Sequence, residues 1–245
     1  MPQTSLKGDA QIIGQDLFAI SSAANLSPLG TLATAGDGRY YRYVLCDGTT
    51  AVVVGKLYQG SAEATTWQNL ACAAAAVGAT SITTTTTLTA TLNQMAGGYV
   101  TVTASTGLGY TYKIKGNTAA SSAVCTIYLE DPILVAMTVT TSTIDIILSP
   151  YAGVVLSNST ISSAPVGVSV FPITAAYYGW LQVRGPASVL ADGSIAVGDI
   201  VVASNGTSGA VEIGANASTE AQAPVGTALT GISTTEYGFI MLHIS

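Results

Sequence analysis

Residues 164–183 read APVGVSVFPITAAYYGWLQV, and residues 223–242 read APVGTALTGISTTEYGFIML, a gapless repeat at an offset of 59 residues with seven of twenty positions identical. Several mismatches keep their character: Trp180 against Phe239, Leu181 against Ile240, Val183 against Leu242. Each copy holds two short β-like runs joined by a polar turn that ends in Tyr-Gly. Self-similarity at fixed spacing means one supersecondary unit used twice, and this unit reads as a β-hairpin. Two copies joined by further strand-like sequence predict a small closed or nearly closed β-barrel. The alternation within the last strand puts Ile240, Leu242 and Ile244 in the core and Phe239, Met241 and His243 outside. In the earlier copy Leu181 and Val183 point inward, while Tyr178, Trp180, Gln182 and Arg184 meet solvent or a partner.

The rest of the chain divides by composition. Residues 1–38 lack sustained periodicity, and Pro28 stops any helix through Leu26–Gly30. They read as an extended N-terminal arm with one short turn of helix near Gln15–Ile20, or as a loose terminus. Arg39–Leu45 is a β run, Asp47-Gly48 a turn signal, and Ala51–Val54 a resumed strand, so a hairpin closing near Lys56–Tyr58 is expected. Residues 61–150 form a distinct block with an alanine-rich tract at 71–76 and an unbroken threonine run at 83–87. Threonine suits a pleated strand. The alanine tract suits either a strand or a helix. Further β runs at Gly98–Ser105, Gly109–Lys115, Val124–Leu129 and Ile144–Leu148 are punctuated by Gly, Asn and Asp-Pro turns. Strands at such intervals predict a β-sandwich-like domain. The expected fold is therefore all-β, with an arm at 1–38, a discontinuous barrel domain at 39–60 plus 151–245, and an inserted β-domain at 61–150.

Chemistry is sparse. His243 is the sole histidine, and nothing near it in sequence supplies a nucleophile with an orienting acid. No Gly-x-Ser-x-Gly elbow, His-Glu-x-x-His or phosphate loop occurs. Glu130-Asp131, Asp192 and Asp199 could support glycoside hydrolysis or hold Ca²⁺, but strand-end turns explain them more simply. Cys46, Cys72 and Cys125 are odd in number and lack close spacing, so they read as buried thiols made in a reducing cytoplasm. Sequons at Asn25, Asn158, Asn205 and Asn216 follow from a Ser/Thr-rich composition. No catalytic, cofactor-binding or metal-binding residues are expected, and no enzyme.

Charged residues make up 8% of the chain with a net charge of −6, against about a quarter in ordinary soluble domains. Such a surface is expected to be solvated by hydroxyls and covered by other subunits. Arg39/Arg42 and Lys113/Lys115 are the nearest approach to a basic cluster, so nucleic acid is not an expected partner. No secretory signal opens the chain, and no apolar window reaches the ~18 residues a membrane helix needs.

Three segments resemble capsid decoration (cement) and related head proteins of tailed bacteriophages. They are Gly38–Val44 with Asp47–Ala51 and Gly55–Leu57; Tyr178–Ala187; and Val197–Ser204 with Gly209–Val211 and Pro224–Leu229. The likeness spans 38–58 and 164–245. It implies a short β-barrel module carrying G-D-x-V and V-G-x-A-L strands. It further implies a non-enzymatic virion protein on the capsid exterior, assembled in the bacterial cytoplasm, with the major capsid protein as partner. Closed symmetry is the usual way to cover surface, and an icosahedral shell offers three-fold positions, so a homotrimer is the expected assembly. The alternative is a receptor- or carbohydrate-binding fibre module, with Trp67, Trp180 and Tyr40–Tyr43 as a sugar-stacking patch.

Overall fold

The computed structural model describes residues 10–11, 24–139, 141–158, 162–214 and 224–244. The chain is all-β, with one short 3-10 turn at Thr65–Trp67 among the described residues. It divides into two compact units, Met1–Ser61 with Pro150–Ser245, and Ala62–Ser149. The first unit opens with β1 (Ala10–Gln11), β2 (Leu32–Thr34), β3 (Tyr40–Leu45) and β4 (Leu57–Gln59). The second holds β5 (Leu70–Ala71), β6 (Ser81–Thr83), β7 (Leu88–Ala90), β8 (Tyr99–Ala104), β9 (Thr111–Asn117), β10 (Ala120–Ala123), β11 (Thr126–Leu129) and β12 (Thr143–Ile147). The first resumes with β13 (Val155–Leu156), β14 (Pro165–Ser169), β15 (Tyr178–Leu190), β16 (Ile200–Ala203), β17 (Val211–Ile213), β18 (Pro224–Ala228) and β19 (Tyr237–His243).

The repeated segments are the hairpins β14–β15 and β18–β19, and their registers coincide. Val168 faces Gln182 and Ser169 faces Leu181; at the shared offset, Thr227 faces Met241 and Ala228 faces Ile240. The likeness extends well beyond the hairpin. Tyr178, Gly179 and Trp180 pair with Leu45, Val44 and Tyr43 of β3, as Tyr237, Gly238 and Phe239 pair with Leu190, Val189 and Ser188 of β15. Gly167 and Val168 pair with Tyr58 and Leu57, as Gly226 and Thr227 pair with Val201 and Ile200, with a bulge at the same place in each. β13 flanks β4 as β17 flanks β16. A parallel bridge then joins Cys46 to Val154 in one copy and Ala191 to Val211 in the other. Each copy is thus five strands whose hydrogen-bonded order runs first, fifth, fourth, second, third and back to the first. The unit is a tandem duplication of one small barrel, and β15 serves as the last strand of the first barrel and the first strand of the second.

The two cores match residue for residue. Val44, Cys46, Val52, Tyr58, Val154, Val166, Ile173 and Leu181 form one buried cluster. Their counterparts Val189, Ala191, Ile195, Val201, Val211, Val225, Ile232 and Ile240 all lie in another. Three of the seven identities, two glycines and the isoleucine, have a packing reason. A Cβ on Gly179 would lie 2.6 Å from Ile173 Cδ1, and one on Gly238 2.5 Å from Ile232 Cδ1. Likewise a Cβ on Gly167 would lie 2.8 Å from Leu181 Cβ, and one on Gly226 2.8 Å from Ile240 Cγ2. Each barrel therefore lays an isoleucine across the bare backbone of a glycine, where two packed layers approach most closely. The turn between these residues is also shared, with positive φ at Ala176 (63°) and Thr235 (66°).

Two expectations need revision here, the 39–54 hairpin and the 1–38 arm. Tyr40–Leu45 does not form a hairpin with Ala51–Val54, because both of its edges are already taken, by β2 and by β15; Val52 bridges to Ile173 instead. β15 runs unbroken through Gly185-Pro186. Gly185 takes φ +85° at an irregularity in register, and Pro186, lacking an N–H, lies beyond the last β3 pair and has a ladder partner on one side only. Finally, part of the 1–38 segment belongs to the sheet: Leu32–Thr34 pairs with Tyr40–Arg42, Ala10–Gln11 pairs parallel with Ala33–Thr34, and Ala33 is fully buried. The helical turn expected near 15–20 lies outside the described residues.

In the second unit, a six-stranded antiparallel sheet of order β5-β12-β8-β9-β11-β6 curls until its edges meet at the Cys72–Thr84 bridge, beside the two-stranded ribbon β10-β7. It encloses a single core containing Trp67, Met95, Ile114, Ile127 and Ile146. The alanine tract is extended rather than helical: Leu70–Ala71 is a strand, Cys72 bridges Thr84, and Ala75 bridges Met137. Threonine hydroxyls satisfy the backbone where strands end, as where Thr84 Oγ1 accepts from the Cys125 amide at 2.9 Å. The buried Asn117 is fully used: its Oδ1 accepts from Met95, and its Nδ2 donates to the carbonyls of Thr91 and Thr118. A buried amide satisfied in this way stabilises rather than costs.

Two predictions follow from the duplication. Gly179→Val and Gly238→Val should each lower unfolding free energy by ~1–3 kcal/mol, and trimming the facing isoleucine to Ala in the same chain should recover part of that loss in chemical denaturation. Negligible losses at both glycines would mean that the repeat lacks this common packing. The second concerns the β4–β13 connection, which carries the whole 62–149 unit, while its counterpart β16–β17 is closed by residues 204–210. Replacing 62–149 with a copy of that short connection should leave one cooperative thermal transition in circular dichroism.

Candidate interaction surface

The titratable residues singled out by sequence are engaged in turns rather than gathered into a site. Asp192 accepts from Ser204 Oγ at 2.5 Å, and that hydroxyl in turn accepts from the amides of Gly206 and Thr207, closing the β16–β17 connection. Asp199 accepts from the Ala196 amide at 2.8 Å. Asp47 caps its own turn through the Thr49 amide and hydroxyl, and the Thr49 hydroxyl is the main reason its carboxyl sits below the ordinary aspartate value. Glu130 pairs with Lys113 at 3.4 Å in the second unit. His243 is exposed at the end of β19, opposite Arg184. Among the described residues, no group of three or more His, Cys, Asp or Glu side chains could hold a metal. No helix of those residues is long and apolar enough to cross a membrane.

The three cysteines are free and buried. Each thiol donates to a carbonyl: Cys46 to Thr50, Cys72 to Ser142, Cys125 to Thr118. Burial pushes the Cys46 and Cys72 thiols above their ordinary value, so both remain protonated at neutral pH. Asn25, Asn158 and Asn205 are exposed, and Asn216 lies outside the described residues.

The aromatic residues divide sharply. Trp67 is a core residue whose indole N–H donates to the Thr89 carbonyl at 3.3 Å. Tyr41 is fully buried and Tyr43 is 2% exposed. Tyr43 is sandwiched beside Tyr178 (5.8 Å between ring centres, nearly parallel) and Trp180 (4.9 Å, tilted), and its hydroxyl accepts from the Leu26 amide. Tyr43 is thereby closed to a sugar, while Tyr178 and Trp180 remain half-buried. Among the described residues of the first unit, the open aromatics are instead Tyr237 and Phe239 of the second barrel, 52% and 53% exposed. With Ile200, Val197 and Leu229 they form the outward face of that barrel. Sequence periodicity placed Phe239 outside, but the Ile200 and Leu229 exposure was not foreseen. The signal was present in their spacing from the buried Val201 and Ala228.

Arg39 and Arg42 are tied into the structure. Arg39 pairs with Asp37 at 2.8 Å and lies over the Tyr41 ring. Arg42 donates from Nη1 to the Gly30 carbonyl at 2.9 Å and lies over the Tyr151 ring, and the same ring abuts Gly30 so closely that a Cβ there would sit 2.6 Å from it. This clamp fixes the chain leading into β2. Arg42, Arg184, Leu32, Tyr40, Val183 and Ile244 line a cleft of about 320 Å³ where the first barrel gives way to the second.

No protein-family model, curated protein or solved structure matches this chain.

Thiol chemistry provides a direct check on the buried cysteines. An aromatic disulfide reagent at pH 8 should leave all three unmodified in the native chain over minutes and modify all three in denaturant. Rapid reaction of one thiol in the native state would show that its strand opens.

Proposed function

We propose that this chain is a non-enzymatic virion structural protein that decorates and stabilises the capsid shell of a tailed bacteriophage, with the major capsid protein as its partner. One observation carries this reading. The G-D-x-V segment Gly198–Val201 and the V-G-x-A-L segment Val225–Leu229 are neighbouring strands of one small barrel, and that barrel occurs twice in a chain with only 8% charged residues. A protein that coats a lattice needs a rigid, chemically inert β-body and uncharged surface that other subunits can cover. The side chains seen here serve turns, cores and clamps, which suits such work. A sugar-binding role is less well supported, because Trp67, Tyr41 and Tyr43 have no open ring face.

The test is association with particles. The full chain should co-sediment with purified phage shells that lack it and raise their melting temperature. The region preceding residue 24 is the proposed anchor. Deleting residues 2–23, which removes the two-residue edge strand β1 but spares β2, should preserve cooperative thermal unfolding and remove particle binding. Retention on immobilised saccharides without capsid binding would overturn the reading in favour of an adhesive module.

A further inference from the structure

The two barrels share register but differ in what covers them. On the outside of the first, the cross-strand row Leu57, Val168, Gln182 and Tyr41 is fully buried. Its counterpart on the second is Ile200, Thr227, Met241 and Pro186. There Ile200 is 58% exposed, Pro186 is exposed, and Thr227 and Met241 are half-buried.

Over Leu57 and Val168 this cover comes from the second barrel, while Tyr41 packs against Ala33 of β2. Leu57 and Val168 belong to the same buried cluster as the second barrel's core. The Leu57 amide donates to the Gly209 carbonyl, in the second barrel's β16–β17 connection, at 2.9 Å. The Leu190 amide donates to the Gly55 carbonyl, and the Tyr237 ring fills the space where a Gly55 Cβ would stand. Gly198 occupies the position equivalent to Gly55 with the same left-handed backbone (φ +91° against +72°), yet a Cβ there would meet nothing within 4 Å. The second barrel therefore repeats the seat that it fills on the first, and among the described residues the repeated seat is empty.

We propose that this face of the second barrel, centred on Ile200 and Gly198, is the docking surface for a second copy of this chain. That copy seats its first barrel there as the second barrel seats on the first inside one chain. The first barrel carries the counterparts of the groups that fill the seat within one chain: Ala152, Leu45 and Tyr178 stand where Gly209, Leu190 and Tyr237 stand in the second. The segment Tyr151–Gly153, which precedes β13 as Ser208–Ala210 precedes β17, is the part that would meet Ile200. The face carries apolar and hydroxyl groups and no charge in its central row, as suits a surface destined for burial. Such a contact joins unlike surfaces, so its repetition builds a ring where the rotation closes and a filament where it does not. The inference stands on the internal duplication and does not rest on the virion reading.

The full-length chain separates the outcomes. In sedimentation velocity it should form an oligomer that strengthens with concentration. Ile200→Asp, at an exposed position, should weaken self-association at least about tenfold while leaving the melting temperature unchanged. For geometry, one preparation carries Ile200→Cys and another Ala152→Cys. Mixed and oxidised, they should give a disulfide-linked pair containing one of each, while neither preparation links to itself. A chain that stays monomeric to ~100 μM would overturn the proposal. So would association indifferent to Ile200→Asp, or self-linking of Ile200→Cys alone, which would indicate a two-fold contact instead. Capsid binding is read separately, so loss of either result leaves the other interpretable.

Discussion

Strand β15 is the constraint on which the first unit depends. Its first half closes one barrel against β3 and β14, and its second half opens the next against β19. A single continuous strand can serve two barrels only if it changes direction at the junction, and Gly185 supplies that change with a backbone conformation that L side chains rarely adopt. The junction is pinned from beside it. Gln182, fully buried, donates from Nε2 to the carbonyls of Arg184 and Pro186, both at 2.9 Å, so one side chain spans the irregular stretch. Satisfying those carbonyls matters because unpaired buried backbone is costly.

Around that strand, the same packing solution is used twice. An isoleucine crosses a glycine in each barrel, and eight core positions correspond one to one. What the copies do not share is their use. The first has accepted an entire second unit in its β4–β13 connection, a place where the second makes only a tight turn held by Asp192 and Ser204. Insertion is tolerated there because a connection between neighbouring strands lengthens at small entropic cost when its ends are held together. The first barrel also has its outer row covered, while the second leaves the equivalent row open. Duplication without equal coverage is what gives this chain a surface with a built-in match.

The sequence by itself determined the all-β class, the repeated hairpin and the inward and outward faces of its strands. Those follow from local physics: alternation has a period of two, and Ile240 and Leu242 cannot be turned outward without exposing the core. It also contained the rest of the duplication. Val44-Leu45-Cys46-Asp47-Gly48 answers Val189-Leu190-Ala191-Asp192-Gly193. That match was hidden because two additional residues and a whole inserted unit break the spacing on which repeat detection relies. Only the tertiary structure decided which strands pair. Tyr40–Leu45 had a turn signal and a strand after it, yet its edges went to partners from residues 32–34 and 178–184, because a strand has two edges and nonlocal partners filled both. The fate of the aromatics was likewise tertiary. Periodicity can put Tyr43 and Phe239 on an outer face, but it cannot say that one is covered and the other bare, since covering depends on what lies against the face rather than on the strand itself.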